Sequence, residues 1–274
     1  MITTANQEMI PSLKALWKEA FGDEDAYIDF FFTNKFQPDE TFVYLQDGTP
    51  VSVAFVFDAE LYIENDFMPI KYIYGVATAI KFRRQGLSTQ ILEHIKEIYP
   101  STFLVPSTDN LFRFYRNNGY KNAFIMEHLQ LEIEKMDCPV QYLEFQDITS
   151  EDYKAIRDEY FHGNGYIRWD KEMIDYALGE NVLCGGSAIK IKTSNNNIPY
   201  GMVLYRSFQN QLFIKETTLS GQVLKDVAYL LMKQTNTTIC HVRLKASNPE
   251  IGKPFGMLYH NGTLVNGYCN LVLD

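Results

Sequence analysis

The stretch "YGVATAIKFRRQGLSTQILEHIKEIYP", residues 74–100, decides how the chain is read. It opens as an apolar strand, passes through a short basic loop holding Arg83, Arg84 and Gly86, and continues as a helix. That helix shows Leu87, Ile91, Ile95 and Ile98 on one face until Pro100 stops it. A buried strand that feeds a helix through a glycine-containing loop leaves successive backbone N–H groups at the positive end of the helix dipole, which makes an anion site. Gly86 has no side chain to keep a phosphate from those amides, and Arg83 and Arg84 offer charge-assisted hydrogen bonds to the same oxygens. The spacing fits neither G-x-x-x-x-G-K-[ST] nor G-x-G-x-x-G, so neither a nucleoside-triphosphate loop nor a dinucleotide fingerprint is present. On spacing alone, a basic surface turn is the competing reading.

Composition narrows the classes. The 274 residues, 46% of them hydrophobic, are enough for one large core or two ordinary ones. Charged residues break up every long apolar run, and Glu8, Lys14, Lys18 and Glu19 occupy the place where a secretion signal would be apolar; no membrane partner and a cytoplasmic location are expected. Cys138, Cys184, Cys240 and Cys269 are far apart, without C-x-x-C, and read as reduced thiols rather than metal ligands or a disulfide framework. His94, His128, His162, His241 and His260 show no metal-ligand spacing, so no metal is expected. A net charge of −9 argues against a nucleic-acid partner, and a homo-oligomer is compatible with the sequence.

Outward from the opening stretch, residues 8–21 and 25–32 are helical candidates, the first stopped by Gly22. Two strands surround the turn Asp47-Gly48, and 72–80 is a third, buried strand. After helix 87–99 come a strand at 102–105, a helix at 110–118 closed by Gly119, and a strand at 123–133. The order is ααβββαβαβ. It recurs in outline after a seam at residues 134–141: helices at 151–161 and 171–178, three strands, the helix "GQVLKDVAYLLMKQT", the strand "TTICHVRLKA" and a closing strand "GTLVNGYCNLVLD". The expected architecture is α/β, two copies of one domain spanning 1–136 and 137–274, the second without an arginine loop. The "FHGNGY" stretch, Gly185-Gly186 and "NNN" at 195–197 read as turns.

"VATAIKFRRQGLSTQIL" resembles the acetyl-CoA loop of the GNAT superfamily of N-acetyltransferases, with Arg83, Gly86 and Ser88 at the pattern positions and Ser88 departing from the usual Gly/Ala. A second block, "NLFRFYRNNGY" at 110–120, resembles the later helix of that family's fold. With "LWKEAFGDEDAYIDFFF", the "GVAT" strand end and a second copy lacking the loop, the chain resembles the first two domains of the enhanced-intracellular-survival (Eis) type; at 274 residues it is expected to lack their further C-terminal domain.

The resemblance implies tandem GNAT-like domains, each a mixed central sheet flanked by helices, the second degenerate. It also implies acetyl-CoA as co-substrate and an amine-bearing acceptor, small molecule or peptide. Val76, Ala77 and Thr78 would bind pantetheine and the thioester carbonyl at a strand bulge. The amides of Arg84, Gln85, Gly86, Leu87, Ser88 and Thr89 would hold the pyrophosphate, and Arg83 would add its side chain. Tyr115 would protonate the leaving thiolate, and Asn110 would touch the cofactor or cap its helix. For the general base the resemblance offers only an analogy with Asp274, beside Asp58, Glu60, Tyr72 and Tyr74. A non-catalytic acyl-CoA-binding or regulatory protein of the same fold is the alternative.

Overall fold

The computed structural model describes residues 1–139, 143–163, 165–193, 196–248, 250, 252–262 and 267–271. Gln141 of the expected seam, Asn164, Asn195 and Asp274 lie outside the described residues. The chain divides into two compact units. The first comprises residues 1–61, 66–123 and 255–265, the second 62–65, 124–254 and 266–274. The expected division at 136/137 differs in three places: residues 62–65 and 124–136 group with the second unit, and 255–265 with the first.

In the first unit, strand β1 (Ile2–Thr4) precedes helices α1 (Ile10–Phe21) and α2 (Asp25–Asn34). The N–H of Gly22, in left-handed conformation (φ 77°), bonds the Lys18 carbonyl and ends α1 where the sequence places its stop. Strands β2 (Thr41–Gln46) and β3 (Thr49–Ile63) form a hairpin whose two turn residues, Asp47 (φ 50°) and Gly48 (φ 77°), both take positive φ. Strand β4 (Asp66–Thr78) leads to α3 (Leu87–Ile98), followed by β5 (Ser101–Leu104) and α4 (Asp109–Asn117). The next strand, β6 (Lys121–Glu132), passes into the second unit at Phe124. Leu87, Ile91, Leu92 and Ile95 form the buried stripe of α3; Ile98, expected on that face, is 47% exposed.

The second unit adds β7 (Leu143–Asp147), α5 (Ser150–Phe161), β8 (Tyr166–Arg168), α6 (Lys171–Leu183), β9 (Gly186–Thr193), β10 (Asn196–Phe208), β11 (Gln211–Thr217), α7 (Gly221–Thr235) and β12 (Ile239–Lys245). The expected repeat of two helices, three strands, a helix and a strand is present, with β7 and β8 as additions. Helix α6 continues past Leu178, where the expected helix ended, because Glu180 and Asn181 are buried. Of the closing strand expected over "GTLVNGYCNLVLD", residues 263–266 and 272–274 lie outside the described residues; a strand forms earlier, as β13 (Lys253–His260), whose residues 257–260 pair antiparallel with Leu104–Ser101. Tyr268, Cys269 and Leu271 are buried without belonging to a strand, so their apolarity reflects burial alone.

Strand order is β1-β2-β3-β4-β5-β13 in the first unit and β6-β12-β11-β10-β9-β7 in the second. In each, a long antiparallel hairpin precedes a parallel pair joined through a helix: β4 with β5 through α3, and β11 with β12 through α7. The architecture is mixed α/β, as expected.

One irregularity recurs. In β4, Tyr72 and Tyr74 lie in an aromatic layer with Trp17, Phe31 and Phe57, whereas Ile73 and Val76 lie in the apolar cluster with Ile91, Leu92 and Tyr115. A regular strand puts residues 73, 75 and 77 on one face. The period breaks at Gly75, which has φ 58°. In β11, Leu204 opposes Glu216 while Tyr205 opposes Ile214, so Lys215 is an extra residue and the faces exchange there too. Both breaks fall just before the strand that feeds the parallel crossover helix ends.

A Cβ on Gly75 would lie 2.9 Å from Phe55 Cδ2, in a backbone conformation unfavourable to L side chains. Gly75→Ala is therefore expected to cost about 2 kcal/mol or more, from left-handed strain and overpacking, read as a lower midpoint in urea unfolding.

Candidate active site

Past the kink, β4 carries Val76, Ala77 and Thr78. Its ladder with β5 has two rungs, Lys71–Thr102 and Tyr72–Phe103, so these three residues extend beyond the last one. The strand end is pinned from both sides. Ser52 on β3 gives its hydroxyl to the Ala77 carbonyl at 2.8 Å and lies 2.7 Å from the Thr78 hydroxyl. The Thr78 hydroxyl in turn lies 2.7 Å from that of Ser88, in the first turn of α3. Ser88 therefore ties the helix start to the strand end, a contact that the usual Gly or Ala could not make. Ser52 carries no signal in the sequence; no spacing rule links it to residues 78 and 88.

Between them, Ala79 N–H bonds the Val51 carbonyl (2.9 Å) and Ile80 N–H bonds Glu19 Oε1 (3.0 Å), and a short 3-10 turn covers Ile80–Phe82. Arg83 folds back, its Nε donating to the Thr78 carbonyl at 3.0 Å. Arg84 (φ 63°) and Gly86 (φ 76°) both sit in the left-handed region. For arginine that conformation is strained by roughly 1–3 kcal/mol, a cost found where backbone shape serves a ligand. Among the described residues, the amides of Arg84, Gln85, Gly86, Leu87, Ser88 and Thr89 have no hydrogen-bond acceptor; the first amide satisfied within the helix is Gln90, to the Gly86 carbonyl (3.0 Å). Six unpaired donors at a helix start, with alternating left-handed residues, make a concave anion-binding nest.

The equivalent turn in the second unit is different. It runs only from Thr218 to Ser220, and two of its donors are used internally: Thr218 N–H bonds the Met202 carbonyl (3.2 Å) and Leu219 N–H bonds Thr217 Oγ1 (3.0 Å). The amides of Ser220 to Val223 have no acceptor among the described residues, as at an ordinary helix start, but no arginine lies beside them.

Tyr115 stands on α4 with its ring buried in the cluster that holds Val76, Ile91 and Leu92, 5.9 Å from the Tyr120 ring. The helix end fixes it: Tyr120 N–H bonds the Tyr115 carbonyl (3.1 Å) and Gly119, at φ 86°, bonds that of Arg116 (3.0 Å), a Schellman closure. Burial pushes the Tyr115 phenol well above its ordinary pKa, so it stays protonated and suits donation rather than proton abstraction. Asn110 is exposed at the second position of α4, and the capping role open to it from sequence falls to Thr108, whose Oγ1 accepts from Leu111 N–H (3.3 Å). Of the strand residues that could serve as base, Asp58 is bound to Lys71 (2.8 Å) and Tyr72 is buried against Phe103. The Tyr74 hydroxyl lies 3.4 Å from that of Tyr27.

Residues 1–123 match the family model described as the acetyltransferase (GNAT) domain. This segment contains the kinked strand, the nest and Tyr115. No curated protein matches the chain significantly by sequence. Among solved structures, a protein of unknown function from Enterococcus faecalis V583, described as a probable N-acyltransferase, superposes with TM-score 0.71 at 16% identity, over 94% of this chain and 72% of that one. An Eis protein from Mycobacterium abscessus gives TM-score 0.64 at 11% identity, over 95% and 73%. A tandem GNAT protein from the clavulanic acid biosynthesis pathway gives 0.55 at 14%, over 96% and 99%. At these identities the likeness is one of fold, and it extends beyond the GNAT domain to a tandem arrangement. Among the described residues, no group of three or more His, Cys, Asp or Glu gathers as a metal site, and no helix is long and apolar enough to cross a membrane.

Removing either hydroxyl of the Thr78–Ser88 tie should cost about 1 kcal/mol, and the double variant Thr78→Val/Ser88→Ala should cost less than the sum of the singles. Chemical unfolding of the three variants measures that coupling, and strict additivity would show that the tie contributes nothing.

Proposed function

We propose that the chain is an acetyl-CoA-dependent N-acetyltransferase that acts on a primary amine carried by a small molecule or peptide. The observation that carries this reading is the row of six unpaired amides from Arg84 to Thr89, opened by two left-handed residues at the start of α3. Such a nest suits a pyrophosphate. The Arg84 side chain is exposed and within reach of the same oxygens, and Arg83 keeps its two terminal nitrogens while its Nε is tied to the strand. Val76, Ala77 and Thr78 would line the thioester arm beyond the last rung between β4 and β5.

Acetyl-CoA supplies an activated acetyl thioester. The neutral amine attacks its carbonyl carbon, and the oxygen gains negative charge that a backbone N–H near the Gly75 kink would meet. As the tetrahedral intermediate collapses, the C–S bond breaks and the sulfur takes its electron pair. The Tyr115 phenol would donate to that sulfur, a part supported by its protonated, buried state and the lack of any other hydrogen-bond partner for its hydroxyl among the described residues. Asn110 is kept as a weaker cofactor contact at the exposed start of α4. Asp274 is carried over from the resemblance alone as the carboxylate that would accept the amine's proton.

Calorimetric titration with acetyl-CoA, followed by thiol release against a panel of primary amines, tests the reading. Binding with release on one amine class is expected; binding with no release on any amine would favour the non-catalytic acyl-CoA-binding alternative, and no binding would overturn both. Arg84→Ala should weaken acetyl-CoA binding by about 1–3 kcal/mol through loss of a charged hydrogen bond, whereas Tyr115→Phe should lower turnover and leave that binding nearly unchanged. Equal loss of binding in the two variants would contradict the separate roles.

A further inference from the structure

The second unit gathers cations on one open sheet face, against the chain's net charge of −9. On β12, Cys240 and Val242 face the core under α7, so His241 and Arg243 face the other way. Arg243 stands directly opposite His128 of β6, and His241 opposite Gln130. His128 and Lys253 are exposed; His241 and Arg243 are half-buried. Partial desolvation by the atoms around its ring first, and then the charges of Arg243, Lys253 and His241, hold the His128 imidazole below its ordinary pKa although the residue is solvent-exposed. On that face its own strand adds Met126, Gln130 and, further along, Glu132, which is paired with Lys135 at 2.8 Å. Cations set opposite one another across a ladder oppose folding by a few tenths of a kcal/mol to about 1 kcal/mol.

Arg243 is also held in place from behind. Its Nη1 donates to Asn270 Oδ1 at 3.0 Å, and Asn270 is itself buried and locked. Asn270 Nδ2 bonds the Lys215 carbonyl (2.6 Å), and its own carbonyl receives Arg157 Nη2 (3.2 Å) and Trp169 Nε1 (2.9 Å). Arg157 in turn is paired with the fully buried Glu216, whose carboxylate also accepts the hydroxyls of Tyr153 and Tyr268. A chain of support of this kind fixes a guanidinium for a ligand better than surface mobility would allow. Beside it, the rings of His241 and Phe213 stack with centroids 5.1 Å apart and planes at 19°.

We propose that this face of β6 and β12 is a second anion site, taking the phosphate group of a small phosphomonoester with Arg243, Lys253 and His128 as its donors and the Phe213–His241 stack as a platform for a flat ring. The site lies wholly within the second unit and does not depend on the acyltransfer reading.

The test is an NMR titration of the His128 imidazole, assigned with His128→Gln, in inorganic phosphate and in phenyl phosphate against sodium chloride of equal ionic strength. A bound phosphate should raise the His128 titration midpoint by about half a unit to one unit, as an opposite charge does at contact distance. Phenyl phosphate should also shift the His241 ring resonances. The response should vanish in Lys253→Gln, an exposed change that leaves the core untouched, and in Arg243→Gln, but persist in Arg84→Ala, which alters only the first unit's nest. A midpoint unmoved by millimolar phosphate, moved equally by chloride, or still moved in both Lys253→Gln and Arg243→Gln would overturn the proposal.

Discussion

A β-strand shows the same face at every second residue, so β4 can serve the aromatic layer of Trp17 and Phe31 with Tyr72 and Tyr74, and the α3 layer with Val76, only by breaking its period at Gly75. The left-handed φ of 58° and the 2.9 Å that would separate a Cβ from Phe55 leave glycine as the fitting residue. The loop and helix beyond Gly75 depend on this break. It turns the strand end toward α3, where Ser52, Thr78 and Ser88 can meet through their hydroxyls, and so sets where the helix begins and where its free amides lie. Arg84 and Gly86 then open the loop, and the strain at Arg84 is tolerated because the strand end and the helix start are fixed on either side.

The second unit keeps the break and discards its use. Lys215 interrupts β11 where Gly75 interrupts β4, yet the turn after it is short and bonds its own amides through Thr217 and the Met202 carbonyl. Glu216, just past the interruption, is neutralised by Arg157 inside a ring of tyrosine hydroxyls. A buried ion pair contributes little net stability compared with an apolar substitute, although breaking one costs several kcal/mol. Its value here lies in fixing geometry: it clamps Tyr268 and Asn270, and through Asn270 it orients Arg243.

Much of this is legible in residue order because helix stops, hairpin turns and a basic glycine loop are local. Gly22 and Gly119 each end a helix in left-handed conformation, and Asp47-Gly48 closes its hairpin, as their residue types imply. The helix expected over 171–178 runs further as α6, where burial of Glu180 and Asn181 offsets the cost of Gly179. Residue order is silent on Gly75, since a glycine within an apolar strand announces a bulge only once its neighbours are known. β13 escapes notice because Pro254 and Gly256 weaken its strand pattern, while "GYCNLVLD" carries a stronger apolar signal in residues buried without a ladder. The nest can be anticipated from Arg83, Arg84 and Gly86, but the serine on β3 that anchors it is distant in sequence, and only pairing of β3 with the end of β4 brings it near.

The exchange of segments between the units bears on how the protein is made. The first unit, which holds the nest, takes residues 255–265 as its own, and β13 pairs with β5 across more than half the length of the chain. During synthesis, Ser101–Leu104 leave the ribosome long before that partner exists, so one edge of β5 waits unpaired while the whole intervening unit is translated. Such a sheet closes late and over a long loop, a slow step by topology alone. Maturation of the nest-bearing unit is thereby tied to synthesis of residues 255–265, and a product that stops short of them would carry the loop sequence within a sheet left open at an edge prone to unwanted pairing.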